Sequence, residues 1–236
     1  SPRGAAFHEF TNKLYVANFG DSTVTVIHGV TNAVLKTIPV GRNPTAVLVD
    51  AAANRVYVSN SGEDTVSIID ADTDTILKVT GVGRSPQGLA LDRVRNRVLA
   101  ANRDSNSITE IDATTGMPAG ETPLGKKPQA LAVDPESGTV WVGNLGQRQL
   151  IALEKDRISS IAAGGSQESL ALDHTRGVLF LANPEGGMVT AVDTATKTVL
   201  ASIQLAGKPV SLAVSSRDHL LYVLDSTGKS LHALEL

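Results

Sequence analysis

No cysteine occurs in the 236 residues. That one absence excludes disulfides, thiolate metal sites, thiol nucleophiles and covalently attached c-type haem. It is compatible with an oxidising compartment without demanding one. Aromatic residues make up 3% of the chain, and most of them fall at a core position of the chain's repeating pattern, whereas single-strand nucleic-acid binding needs exposed aromatics on a basic groove. No apolar run approaches the roughly 18 residues of a membrane-spanning helix. Charge of either sign is not in excess: 21 Lys and Arg face 24 Asp and Glu, for a net −3. There is no general pull toward nucleic acid or anionic membrane. Neither GxSxG nor HExxH is present, so the commonest hydrolase signatures are missing.

What is present is repetition. "YVANFGDSTVTVI" from Tyr15 to Ile27 returns as "YVSNSGEDTVSII" from Tyr57 to Ile69. The Asn closing each such stretch is Asn18, Asn60, Asn102, Asn144 and Asn183, with Asp225 in the last copy, at steps of 42, 42, 42, 39 and 42. Sixteen residues before each stand Pro2, Pro44, Pro86, Pro128, Gln167 and Pro209. A period of 40-odd residues made of strand-like pieces is the signature of propeller blades. The fold expected is therefore an all-β propeller of four-stranded blades. It is one domain over 1–236, with units at about 1–41, 42–83, 84–125, 126–164, 165–206 and 207–236. The first five are complete and the last lacks its fourth strand.

The second unit shows the pattern within a blade. Thr45–Val49 is almost continuously apolar and reads as a strand buried on both faces. Arg55–Ser59, Thr65–Ile69 and Thr75–Val82 follow as strands two to four. Asn54 between the first two recurs as Asn12, Asn96, Gly138, Gly177 and His219, mostly residue types that tolerate the left-handed backbone of a hairpin turn. The strand-terminal Asn and Asp residues are expected to cap the next turn with their side-chain oxygens. Three residues before each terminal Asn or Asp stand Tyr15, Tyr57, Leu99, Trp141, Phe180 and Tyr222. Every Tyr and the single Trp thus share one repeat position, which makes it a core position between blades rather than a ligand platform.

"YVAN", "YVSN", "WVGN" and "FLAN", each preceded by a "GxxP"-like turn, resemble the YVTN family of β-propeller repeats. The resemblance covers essentially the whole chain. It departs at "LAAN" in the third unit, at Gln167 and at "YVLD" in the sixth. It implies blades around a central channel, and an exported protein of the periplasm or cell surface. It transfers a fold and a location, not a reaction. Because a propeller closes by pairing chain ends within one blade, further residues are expected upstream in the gene. About ten would complete six blades and about fifty would make seven. A signal peptide would lie beyond them.

Candidate chemistry is thin. "GETPLGKK" from Gly120 to Lys127 nearly spells a P-loop, but Lys127 stands where the Ser or Thr for magnesium should be, and Pro128 follows. "DADTD" from Asp70 to Asp74 begins like a calcium loop and lacks the Gly at position six and the Glu at twelve. Asp70 recurs as Asp112 and Asp193, which suits a turn cap. His8, His28, His174, His219 and His232 fall at five different repeat positions. No catalytic residue, metal site or cofactor is therefore assigned.

The reading is a non-enzymatic propeller that presents loops to a protein partner, for example as an accessory subunit of a membrane-associated complex. A propeller lyase or lactonase and a surface-layer structural module are the alternatives. The binding residues expected are those of the inter-blade turns "GRNP", "GRSP", "GKKP" and "GKP": Arg42, Arg84, Lys126, Lys127 and Lys208. They would form a partial basic ring at one channel mouth, suited to an acidic loop, a carboxylate or a phosphate.

Overall fold

A computed structural model describes residues 1–155 and 157–236 and shows an all-β propeller of six antiparallel blades. The first blade holds β1 (Pro2–His8), β2 (Lys13–Asn18), β3 (Thr23–His28) and β4 (Val34–Pro39); the second β5 (Pro44–Asp50), β6 (Arg55–Asn60), β7 (Thr65–Asp70) and β8 (Thr75–Gly81). The third holds β9 (Pro86–Asp92), β10 (Arg97–Asn102), β11 (Ser107–Asp112) and β12 (Pro118–Pro123). In the fourth are β13 (Pro128–Val133), β14 (Val140–Asn144), β15 (Leu150–Glu154) and β16 (Arg157–Ile161). The fifth has β17 (Ser169–Asp173), β18 (Val178–Asn183), β19 (Met188–Asp193) and β20 (Thr198–Gln204). The sixth has three strands, β21 (Pro209–Ser215), β22 (Leu220–Asp225) and β23 (Ser230–Glu235). Each blade is a simple meander in chain order.

The blades group into two compact units. Ser1–Leu91 with Asn96–Leu124 forms one, essentially blades one to three; Asp92–Arg95 with Gly125–Leu236 forms the other.

Local chemistry sets the turns. Asn12, Asn54, Asn96, Gly138, Gly177 and His219 all have positive φ, between 52° and 68°. The first hairpin of every blade therefore turns where the sequence expected it, on residue types that mostly accept that backbone cheaply. Asp70, Asp112 and Asp193 cap the third hairpin: Asp70 Oδ1 accepts the N–H groups of Asp72 and Thr73 at 3.0 and 2.9 Å. The same pair of bonds recurs at Asp112 and Asp193.

Strands two and three carry the core. In β6 every residue after Arg55 is buried, whereas β20 is exposed throughout. The first strand departs from the expectation: Thr45–Val49 is half-buried, not sealed on both faces. It is an edge strand, hydrogen-bonded within its sheet to β6 alone, so its apolar run faces less protein than the run suggested.

The shared aromatic position fills the joints. Tyr15 packs with Val56, Val58 and Ile69 of the next blade, Tyr57 with Val98, Ala100 and Ile111, Trp141 with Leu179, Leu181 and Val192, and Phe180 with Leu221 and Val223. Tyr222, in the three-stranded blade, is only half-buried.

Candidate functional site

The turn entering each blade is laced to that blade's second hairpin by backbone hydrogen bonds. Ser61 and Gly62 donate to the carbonyls of Asn43 and Arg42 at 3.1 and 3.0 Å. Arg103 and Asp104 donate to Ser85 and Arg84, Leu145 and Gly146 to Lys127 and Lys126, and Ser226 to Lys208. The two sets of turns therefore do lie side by side in each of these blades. Pro44, Pro86, Pro128 and Pro209 are buried beneath them, while Arg42, Arg84, Lys126, Lys127 and Lys208 are exposed.

Two of these basic side chains in the first unit are already engaged. Arg42 Nε lies 3.1 Å from Glu63 Oε1, and Arg84 Nη2 donates to the Asp104 carbonyl at 3.2 Å. Arg103 Nε pairs with Asp104 Oδ1 at 3.1 Å. Such exposed pairs contribute little to stability, but they dilute the positive field of the turns. In the second unit, Lys126 and Lys208 make no side-chain ion pair among the described residues.

Behind the turns lies the strand-terminal Asn. Its role differs from the expected oxygen cap. Asn18 Nδ2 donates to the hydroxyls of Thr23 and Thr25, Asn60 to Thr65 and Ser67, and Asn102 to Ser107 and Thr109. The amide thus ties strand two to strand three through donors; in these three blades Thr and Ser stand five and seven residues on, within reach of its nitrogen. At the end of strand two, among the described residues, Asn183 and Asp225 cap with oxygen, Asn183 Oδ1 accepting the Gly186 N–H at 3.0 Å and Asp225 Oδ1 those of Thr227, Gly228 and Lys208. The amide also explains the entry glycine. A Cβ at Gly41 would stand 2.8 Å from Asn60, and one at Gly83 2.6 Å from Asn102. Gly125, Gly165 and Gly207 meet Asn144, Asn183 and Asp225 in the same way.

Gln167 is the residue that sequence reasoning passed over as a mere departure. It is fully buried. Its Oε1 accepts the Asn144 N–H at 3.1 Å and its own N–H reaches the Asn144 carbonyl at 3.1 Å. Its Nε2 donates to the carbonyls of Gly164 and Gly165. Where other blades begin with Pro, this one bolts itself to the end of β14. The signal available was the loss of Pro at a repeat position that otherwise keeps it.

The titratable groups are committed to structure. His8 is buried and its Nδ1 accepts the Thr11 N–H. His28 Nδ1 accepts from Val30 and Thr31. His174 and His219 are exposed in turns, and His232 Nε2 lies 3.0 Å from Ser230 Oγ. Burial pushes the Asp173 carboxyl up, but hydrogen bonds from the Thr175 and Ser216 hydroxyls outweigh it, and the group sits below the usual carboxylate range. Both ends of the calcium-like stretch are used: Asp70 caps its turn, and Asp74 faces Lys13 and Tyr15. The P-loop-like residues Gly125–Lys127 form the turn into the fourth blade. Among the described residues no three His, Asp or Glu converge as a metal-binding group. No helix among them is long and apolar enough to cross a membrane.

Residues 1–123 match the family model described as "Lactonase, 7-bladed beta-propeller". The chain belongs to this lactonase propeller family. The match takes in the first three blades, just over half of the 236 residues. No curated protein matches the sequence. Among solved structures, Kuenenia stuttgartiensis hydrazine synthase is similar with a TM-score of 0.66 at 13% identity, over 100% of this chain and 95% of that one. At that identity the likeness is one of fold.

The lactonase-family chain also has a concavity that the sequence did not announce. A cavity of about 550 Å³ opens in the second unit, with Arg148, Asn183 and Glu185 among its lining residues.

Proposed function

We propose that this lactonase-family propeller acts as a binding protein of the YVTN repeat type, exported to the periplasm or cell surface. In this reading it serves as an accessory subunit whose inter-blade turns receive an acidic loop, a carboxylate or a phosphate of a protein partner. The observation that carries the reading is the repeated exposed cation on a rigid turn. Arg42, Arg84, Lys126, Lys127 and Lys208 each precede a buried strand start and stand on a turn pinned by backbone hydrogen bonds. Placing charge on a preorganised turn lowers the ordering cost of binding. Capture from periplasmic and membrane fractions on the immobilised protein tests it. A partner retained at low salt and released as salt rises supports the reading, because the Debye length falls from about 8 Å at physiological strength to about 3 Å at 1 M.

The family match favours a second reading, hydrolysis of a lactone. Ser230, His232 and Asp225 come together, but His232 meets both through the one nitrogen Nε2, at 3.0 and 3.9 Å, which is not the geometry of a nucleophile, a base and its orienting acid. A pH-stat assay with δ-valerolactone separates the two. Acid release above the spontaneous rate, saturating with lactone, favours the enzyme.

A further inference from the structure

The fifth blade breaks the repeat at one point. In the first three blades the strand-terminal Asn donates Nδ2 to hydroxyls five and seven residues on. In the fifth, the residue five after Asn183 is Met188, which has no hydroxyl. The residue seven after is Thr190, whose Oγ1 instead lies 3.2 Å from Ser202 Oγ. Asn183 is 5% exposed. Its Oδ1 caps Gly186, and its Nδ2 makes no hydrogen bond among the described residues. An amide donor is thus left without a partner among the described residues. It lines the cavity of about 550 Å³, within the size range of small-molecule sites, about 300–1,000 Å³.

The rest of the lining narrows the ligand. Thr190 and Ser202 add a hydroxyl pair, and Met188 and Val199 an apolar surface. Arg148 and Glu185 are its two charged residues. Both are exposed, and neither forms an ion pair with the other or with any described residue. A lining with one cation and one anion, neither paired among the described residues, suits a ligand carrying both charges. A sugar would want an aromatic platform, and the lining has none.

We infer that this cavity binds a zwitterionic α-amino acid or short peptide. The ligand carboxylate meets Arg148 and the Asn183 amide, its ammonium meets Glu185, and its side chain lies on Met188 and Val199. The site belongs to the second unit alone, and none of the basic-turn residues Arg42, Arg84, Lys126, Lys127 and Lys208 lines it.

Isothermal titration with L-alanyl-L-leucine tests it, beside the N-acetylated and C-amidated forms of the same dipeptide. The expected result is saturable binding with a Kd of about 1 mM or tighter, weakened about tenfold by either cap, as for loss of one charge-assisted contact. Arg148→Gln weakens the free dipeptide about tenfold and leaves the amidated form unchanged. Ser202→Leu, at an exposed position, fills the cavity and abolishes binding. No saturable binding of the free dipeptide, equal binding of capped and free forms, or an Arg148→Gln variant that binds like the parent overturns the assignment.

Discussion

The Tyr15 phenol donates to Asp74 Oδ1 at 2.7 Å across the joint between the first two blades, while Lys13 Nζ holds Oδ2 of the same carboxylate at 2.8 Å. A residue of the first repeat is thereby locked to the third hairpin of the second. Burial, followed by the hydrogen bond to Asp74, raises the Tyr15 pKa well above its ordinary value of 10.0. The unfolded chain therefore releases this proton first. The contribution is complete below pH 10 and declines as pH rises above it, by up to about 1.4 kcal/mol per pH unit.

Tyr15→Phe should lower stability by about 1–3 kcal/mol at neutral pH, since Asp74 loses a donor in a buried joint. The same variant should lose less stability than the parent between pH 10 and pH 11. Urea unfolding at both pH values measures each effect. A parallel decline in the two proteins would mean that Tyr15 ionises as freely folded as unfolded.

Tyr57→Ala should cost about 3–5 kcal/mol, because the ring is fully buried between the second and third blades. Tyr222→Ala, at the same repeat position but half-buried, should cost less than half as much. Thermal unfolding of the pair gives the comparison; equal losses would contradict the packing assigned to the joint.

Much of this was legible from one chain because the repeat averages out noise. Tyr15, Tyr57 and Trp141 share a phase, and only a core explains why rings recur there. Asn54 and its equivalents sit where a tight hairpin demands positive φ. Partners across a joint were not legible. Asp74 lies 59 residues from Tyr15, and within "DADTD" it looks like any other loop acid. The Asn amide was misread because oxygen and nitrogen of one side chain are equivalent in sequence; only the position of the neighbouring hydroxyls selects the donor. The leftover amide of Asn183 depended on Met188 replacing a hydroxyl, a one-residue signal within a repeat otherwise read for its similarities.

Gln167→Pro would restore the motif of the other blades, yet it should destabilise the protein by about 1–3 kcal/mol. It removes the Gln167 N–H donated to Asn144 and the Oε1 that receives the Asn144 N–H in a buried setting. A melting temperature equal to or above that of the parent would show that the bolt between β14 and the fifth blade carries no weight.

Gly83→Ala should be destabilising because the new Cβ meets Asn102 Nδ2 at 2.6 Å. Asn102→Ala should be destabilising through loss of its bonds to Ser107 and Thr109. The double variant should lose less than the sum, by about 0.5–3 kcal/mol, as residues in contact do. Denaturant unfolding of the three variants closes the cycle; strict additivity would separate the entry glycine from the amide.

The central claim is that the inter-blade turns bind an acidic partner, and one measurement meets it directly. Arg42, Arg84 and Lys126 are replaced together by Ser, and affinity for the partner captured from the membrane or periplasmic fraction is measured at low salt, beside poly-L-glutamate as a defined acidic probe. All three positions are exposed, so the variant should fold and melt like the parent. The account predicts a loss of at least tenfold at low salt, about 1.4 kcal/mol, that shrinks as salt rises. Unchanged affinity at low salt would place the binding face elsewhere on the propeller.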